Sequence, residues 1–308
     1  FVPAVMEHIE LAGIHSGDSA CVIPSVHISE KNLKTIEDYT KKIAEEMHVV
    51  GLMNMQYAIE NDVVYVLEAN PRASRTVPLV SKVCNISMVP IATDILTSEI
   101  TGRPAPIAEL KQKDIPYHGV KQAVFPFNMF PEVDPILGPE MRSTGEVLGL
   151  TDYYGQAYYK AAEATQTAYP LRGTVLISVS DRDKDELVEI AELFSNADYK
   201  ILATRGTAKL IKGAGIDCEV VNKMHEGRPN IVDLIMNGDI DIVINTPVGK
   251  DSAHDDSYLR KAAIKHKVPY LTNMAAARTA AKGITYAQEH VDAGVTSLQD
   301  LHAMVQDK

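Results

Sequence analysis

The stretch Thr174-Val175-Leu176-Ile177-Ser178-Val179 decides the fold. It is short, apolar and rich in β-branched residues, the pattern of a buried strand. It follows Pro170-Leu171-Arg172-Gly173, where the chain divides, and it opens a new domain. Further apolar runs recur at Lys200–Ala203, Cys218–Val221, Ile240–Ile244 and Val268–Leu271. Between them, Asp185–Asn196, Thr207–Lys212, Ile231–Met236 and Ser257–Lys265 have helical spacing or length. Strand and helix in alternation predict a parallel sheet with covering helices. Gly213 and Gly215 fall where a helix should stop, and Ser297–Val305 reads as one more helix.

Upstream of the division, Lys160–Ala168 is a polar, small-residue run that reads as a helix followed by a linker. The 308 residues therefore separate into two domains, 1–167 and 168–308, in keeping with about 150 residues per domain. The net charge of −11, with no basic cluster, argues against a nucleic-acid backbone as the main partner. It leaves room for an anionic ligand in one local pocket. No stretch approaches the ~18–20 continuous apolar residues of a membrane span, and no basic-then-apolar signal segment opens the chain. Cys21, Cys84 and Cys218 are far apart and lack C-x-x-C spacing, which fits a reduced cytoplasmic compartment without a disulfide framework or zinc site. The chain begins at Phe1 without an initiator Met and reads as a piece of a longer polypeptide.

In the first domain, Glu7–Gly13 and Glu37–Met47 read as helices and Cys21–Pro24 as a short strand. The clearest unit is Gly51–Ile59, Glu60-Asn61-Asp62 and Val63–Ala69, two strands joined by a polar turn. Beyond residue 102 the prolines at 104, 106, 116, 126, 131, 135 and 139 predict irregular connections and short strands.

The second strand of the hairpin ends in Glu68-Ala69-Asn70-Pro71-Arg72. Glu68 and Asn70 share a strand face and offer oxygen ligands of the kind Mg²⁺ takes. Pro71 ends the pairing, and the Arg72 guanidinium can fork onto phosphate oxygens. With a three-residue turn centred on Asn61, Gln56 lies opposite Val66 and diagonal to Glu68, ~7–8 Å away at the backbone. A different register undoes that pairing, and the bland alternative is a solvated polar face. Further upstream, Gly13-Ile14-His15-Ser16-Gly17-Asp18-Ser19 sets two glycines around His, Ser and Asp. Such a loop lets backbone N–H groups approach a phosphate, or is simply a turn.

Two long motifs carry a resemblance. They are Glu7-His8-Ile9-Glu10-Leu11-Ala12-Gly13-Ile14-His15-Ser16-Gly17-Asp18-Ser19-Ala20 and Leu67-Glu68-Ala69-Asn70-Pro71-Arg72-Ala73-Ser74-Arg75-Thr76-Val77-Pro78. With Gly138-Pro139-Glu140-Met141-Arg142-Ser143-Thr144-Gly145-Glu146-Val147, they resemble the end of the second ATP-grasp half of the carbamoyl phosphate synthetase large subunit family. The resemblance implies nucleotide contacts at Gly13, Ile14, His15 and Ser16, with Gln56 and Glu68 also at the ATP. It implies Mg²⁺ or Mn²⁺ ligands at Gln56, Glu68 and Asn70, and a phosphate contact at Arg72. Glu10 and Asp18 match acids that bind the activator ornithine in some relatives. The family's ATP site also draws on an adenine-binding lobe that precedes these motifs, so this chain alone is expected to be inactive.

In the second domain, loops after the strand C-termini share one sheet edge, where ligands bind. They hold Ser178, Ser180 and Lys184, then Thr204-Arg205-Gly206-Thr207, then Asn222 and Lys223, then Asn245-Thr246. Hydroxyls, lysines and helix N-termini on one edge describe a phosphate site, though each hydroxyl can instead cap a helix, Thr207 above all. The stretches Ile177-Ser178-Val179-Ser180, Ala203–Ala208, Val221–Pro229 and Ile244-Asn245-Thr246 resemble the methylglyoxal-synthase-like (MGS-like) allosteric domain that ends the same subunit. The implied effector contacts are Ser178, Lys184, Thr204, Thr207, Lys223 and Asn245, for a nucleotide of the UMP or IMP class. Tyr270 and Thr272 match further positions associated with ornithine. Close relatives carry a second threonine where Pro247 stands, which removes a hydroxyl and an N–H donor.

The predicted fold class is α/β: a partial ATP-grasp domain followed by a Rossmann-like parallel-sheet MGS-like domain. The implied function is ATP-dependent phosphorylation of carbamate, for arginine and pyrimidine synthesis. The expected partners are a glutaminase small subunit, a nucleotide effector and a further copy of the chain, with neither nucleic acid nor membrane among them. The alternatives are a regulatory binding module without catalysis, or a methylglyoxal synthase using Asp251 as base in Pro247-Val248-Gly249-Lys250-Asp251. Against the latter, Lys250 replaces a glycine of the synthase pattern.

Overall fold

A computed structural model describes residues 1–130, 133–165, 167–246, 249–290 and 294–308, of which 128 and 249–256 are described by backbone alone. The first part runs β1 (Glu7–His8), β2 (Cys21–Ile23), α1 (Glu30–Glu46), β3 (Asn54–Glu60), β4 (Val63–Asn70), α2 (Thr76–Cys84) and α3 (Met88–Thr101). It continues through β5 (Lys113–Asp114), β6 (His118–Val124), β7 (Gly145–Thr151) and α4 (Tyr154–Ala164). The second part runs β8 (Gly173–Ser178), α5 (Leu187–Asn196), β9 (Tyr199–Thr204), α6 (Arg205–Gly213), β10 (Glu219–Val221) and α7 (Ile231–Asn237). It ends with β11 (Ile242–Asn245), α8 (Gly249–Lys265), β12 (Tyr270–Leu271), α9 (Met274–Glu289), α10 (Leu298–Ala303) and β13 (Gln306–Asp307).

The five apolar runs of the second part form a parallel sheet in the order β10-β9-β8-β11-β12. Its central strands β9, β8 and β11 are largely buried on both faces, which is why they read as continuous apolar runs. Val175, Ile177, Ile201 and Ile244 pack with Leu187, Phe194, Ile211, Ala280 and Ile284 of α5, α6 and α9. The alternate residues Leu176, Leu202 and Val243 pack with Ile231, Ile235, Leu259 and Ala263 of α7 and α8. Strand order reverses between β8 and β11, so the loops leaving those strands flank the crevice of a doubly wound sheet.

The first part holds an antiparallel sheet in the order β1-β2-β6-β7 and the separate hairpin β3–β4. Its core joins that of the second part, because α4 lies between the β6–β7 sheet and α9. The α4–α9 crossing is close: a Cβ on Gly155 would stand 3.0 Å from the Gly283 nitrogen. The C-terminal segment then returns to the first part. There β13 pairs with β5, Leu301 packs with Ile23, Leu79 and Tyr117, and the His302 ring sits 2.6 Å from the Lys82 carbonyl.

Several local expectations are corrected. Glu7–Gly13 is not a helix: Glu7 and His8 pair with Val22 and Cys21, and Gly13 takes φ +104°, outside the helical region. The helix expected over Glu37–Met47 begins at Glu30, because the Ser29 hydroxyl accepts from the Asn32 N–H and starts it earlier. The strands expected to be short beyond residue 102 include β6 and β7, seven residues each, paired along their full length. Helix α6 begins at Arg205, which makes Thr204 rather than Thr207 its N-cap. Among the described residues no single helix is long and apolar enough to cross a membrane.

Candidate functional site

The hairpin turn is tighter than the three-residue turn expected from sequence. Glu60 pairs with Val63, and Asn61 and Asp62 take φ of +49° and +61°. Positive φ at both central residues is the two-residue turn that matches strand twist, and after glycine Asn and Asp tolerate it best. The Asp62 carboxylate fixes the turn to α1, accepting from Lys31 Nζ at 2.5 Å and Asn32 Nδ2 at 2.8 Å.

The register then shifts once more between Gln56 and Tyr57, leaving Leu67 as an extra residue in β4. Gln56 therefore faces Glu68 directly, not diagonally, and Asn54 faces Asn70. Gln56 Nε2 donates to Glu68 Oε2 at 2.8 Å and to Ser16 Oγ at 3.0 Å. One amide thus joins the hairpin face to the His15–Ser16 loop, two motifs forty residues apart. Glu68 and Asn70 lie on the same strand face two positions apart. The remaining oxygens of Gln56, Glu68 and Asn70 suit a hard cation that completes its shell from phosphates. Among the described residues, no group of three or more His, Cys, Asp or Glu side chains forms a metal cage, so any cation here would rest on one carboxylate and two amides. Arg72 is exposed beyond the strand end, its Nη1 donating to the Ala73 carbonyl at 3.0 Å.

The Gly13–Asp18 loop is held from several sides. His15 N–H donates to the Gly138 carbonyl at 2.8 Å, and His15 Nδ1 accepts from the Gly17 N–H at 3.0 Å. Lys121 is buried on β6 and donates to the carbonyls of Ser16 and Gly17 at 3.0 and 3.3 Å. It is a functional candidate that sequence reading missed; its signal was a lysine between Gly119 and Ala123 on one face of the strand. Asp18 accepts the backbone N–H groups of Arg142 and Ser143 at 2.8 and 2.9 Å, so both its oxygens are engaged within the fold. Glu10 accepts the Ala20 N–H at 2.6 Å, and burial pushes its carboxyl up to about 7. Tyr270 lies on β12 and Thr272 just beyond it, in the second part.

At the parallel-sheet edge, the loops after β8 and β11 are tied together. Asn245 Nδ2 and the Thr246 N–H both donate to the Ser178 carbonyl, at 3.3 and 3.2 Å, and the Ser180 N–H donates to Thr246 Oγ1 at 2.9 Å. Asn245 is buried, and its Oδ1 has no hydrogen-bond partner. Thr204 donates to Thr207 Oγ1 at 3.3 Å, and no side chain caps the first N–H groups of α6. Lys184 is ion-paired with Asp181. Burial acts against the Asp183 carboxylate, yet hydrogen bonds from Ser180 and Thr246 hold it below its usual range. Ser178 and Lys223 share a small pocket with His225, Tyr258 and Leu259. The sequence reading omitted those last three. Pro247 and the Asp251 side chain lie outside the described residues.

The fold and its two polar edges define an ATP-grasp portion followed by a Rossmann-like, MGS-like domain. Residues 4–101 match the family model of the carbamoyl-phosphate synthase L chain ATP-binding domain, and residues 186–272 match that of the MGS-like domain. The carbamoyl phosphate synthase large chain of Methanosarcina barkeri is 41% identical over 100% of this chain and 76% of its own length. The C-terminal section of that large chain from Methanopyrus kandleri is 48% identical over 98% of this chain and 56% of its own length. The large chain of Acidobacterium capsulatum is 47% identical over 98% of this chain, which spans 28% of that relative. The chain belongs to the carbamoyl phosphate synthase large chain family.

Proposed function

We propose that this chain supplies part of the carbamoyl-phosphate-forming site of a glutamine-dependent carbamoyl phosphate synthetase, together with its effector domain. The observation that carries this reading is the Gln56 amide, which bridges Ser16 and Glu68 and so assembles both motifs into one polar wall. Gly13, Ile14, His15 and Ser16 contact the nucleotide, and Gln56, Glu68 and Asn70 hold Mg²⁺ or Mn²⁺ beside its phosphates. Such a cation offsets the charge that develops on the phosphates during transfer. Arg72, at the strand end, touches the phosphoryl group.

At the other edge, Ser178, Lys184, Thr204, Thr207, Lys223 and Asn245 bind a nucleotide effector of the UMP or IMP class. The uncapped start of α6 and the unpartnered Asn245 Oδ1 support that reading. An anion entering there competes with Asp181 for Lys184. The ornithine assignment is weaker at Asp18, whose oxygens already serve backbone N–H groups; Glu10, Tyr270 and Thr272 are the other candidates. The ammonia donor is a glutaminase small subunit, the compartment is the cytoplasm, and the product serves arginine and pyrimidine synthesis.

The test uses the full-length subunit that contains this segment, assayed for ATP formation from carbamoyl phosphate and Mg²⁺-ADP. Asn70→Ala should lower the rate about 100-fold, the scale for losing one group that stabilises transition-state charge. An unchanged rate rejects the assignment.

A further inference from the structure

Among the described residues, three prominent contacts join the two parts of the molecule. Two of them, the α4–α9 crossing and the C-terminal return onto β5, pack regular elements against one another. The third is of another kind. Arg260 of α8 is fully buried and grips Asp134 through two hydrogen bonds, Nε to Oδ1 at 2.8 Å and Nη2 to Oδ2 at 2.6 Å. Two parallel N–H···O bonds of this kind fix orientation as well as distance. The Ser257 hydroxyl, one turn earlier on α8, also bonds Asp134.

Each end of this ion pair leads to one of the two polar sites. On α8, Tyr258 and Leu259 immediately precede Arg260 and line the pocket that Ser178 and Lys223 share. On the other side, Asp134 opens an irregular segment that reaches the nucleotide loop. Arg142 Nη1 donates to the Asp134 carbonyl at 2.7 Å, while the Arg142 and Ser143 N–H groups hold the Asp18 carboxylate. Within the same segment, the Gly138 carbonyl accepts the His15 N–H at 2.8 Å, and Ser143 Oγ donates to the Gly17 carbonyl at 3.2 Å. The irregular segment is thus tied by hydrogen bonds to the Asp134–Arg260 pair at one end and to the His15–Asp18 backbone at the other, a continuous polar network of the kind that can carry coupling.

We propose that Asp134 is a positioning residue: through its bidentate pair with Arg260 it couples occupancy of the α8 pocket to the geometry of the His15–Asp18 loop. This rests on the nucleotide and effector assignments proposed above. A ligand shifts such an equilibrium only by its differential affinity for two arrangements, and here the arrangements differ in where α8 places Arg260.

The experiment uses the full-length subunit, with UMP and IMP as probes. The apparent KM for ADP in ATP formation from carbamoyl phosphate is measured with and without saturating probe, and probe affinity is measured by calorimetry. In the unaltered protein the probe should change KM by about fivefold or more, the usual scale of allosteric coupling. Asp134→Asn should reduce that change to under about twofold while leaving kcat and probe affinity within about twofold. Asp134→Glu, which keeps the carboxylate, should restore part of the coupling. Arg260→Lys keeps the charge but loses the fork, and should lose coupling as Asp134→Asn does. A purely structural role would lower kcat or stability and leave the KM ratio intact. If Asp134→Asn binds the probe and retains the full KM ratio, the proposal is overturned while the effector assignment stands. If the unaltered protein binds neither probe, the effector assignment fails and the proposal with it.

Discussion

Gln56 stands directly across the hairpin from Glu68, its Nε2 2.8 Å from the carboxylate and 3.0 Å from the Ser16 hydroxyl. Two local features produce this alignment. The two-residue turn at Asn61-Asp62 shifts the pairing by one position relative to a three-residue turn, and the extra Leu67 shifts it by one more. Without them Gln56 would face Val66, and the nucleotide loop would lose its tie to the acid. Site geometry in this protein is therefore set by backbone conformation several residues away from the functional side chains.

The turn makes the first prediction. Asn61 adopts φ +49°, where a β-branched residue is strained. Asn61→Val should destabilise the 308-residue chain by about 1–2 kcal/mol. Urea unfolding measures it. An unchanged midpoint would mean that the turn does not hold the hairpin register.

The second concerns pH. Burial pushes Glu10 up to about 7, with Asp18 adding to the shift and Lys121 and the Ala20 N–H opposing it. Because the folded-state value exceeds the ordinary 4.5, ionised Glu10 weakens the fold above about pH 7, and that cost is relieved as pH falls toward 4.5. His8 acts in the opposite sense: burial, aided by Lys121, lowers it from 6.5 to about 4, so stability is lost as pH falls through that window. Glu10→Gln should therefore raise the Tm at pH 8 and lose most of that gain by pH 5. A gain equal at both values would place the Glu10 carboxyl near its ordinary pKa.

The architecture of the second part was legible because its central strands are largely buried on both faces and the five strands alternate with helical spacing. The site motifs were legible as chemistry but not as geometry. A register depends on turn conformation and on bulges, and neither Asn61-Asp62 nor Leu67 declares itself in a single sequence. The segment Glu7–Gly13 was misread although Ile9 and Leu11, two positions apart, keep strand spacing; its first residues pair with β2 and its acid Glu10 turns inward. Arg260 and Asp134 were missed since nothing local marks residues 126 positions apart as partners.

A third prediction follows from how little of some relatives this chain spans, 28% of the Acidobacterium capsulatum protein. Positioning of both reactants supplies about 7–11 kcal/mol of barrier reduction when a site is complete. The 308-residue chain by itself should make no detectable carbamoyl phosphate from ATP and carbamate, and release no methylglyoxal from dihydroxyacetone phosphate. Carbamoyl phosphate formation by the chain alone would show that the whole site lies within it. Methylglyoxal release abolished by Asp251→Asn would favour the synthase reading instead.

The most direct test of the central claim is the metal dependence of Glu68→Gln in the full-length subunit, followed as ATP formation from carbamoyl phosphate and ADP. Glu68 is the one carboxylate among Gln56, Glu68 and Asn70, and the amide replacement keeps its shape while removing the charge. The rate should fall by about 100-fold or more and stay depressed as Mg²⁺ is raised to saturation. A near-normal rate at saturating Mg²⁺ would contradict the account, because the hairpin face would then not hold the cation at the phosphates.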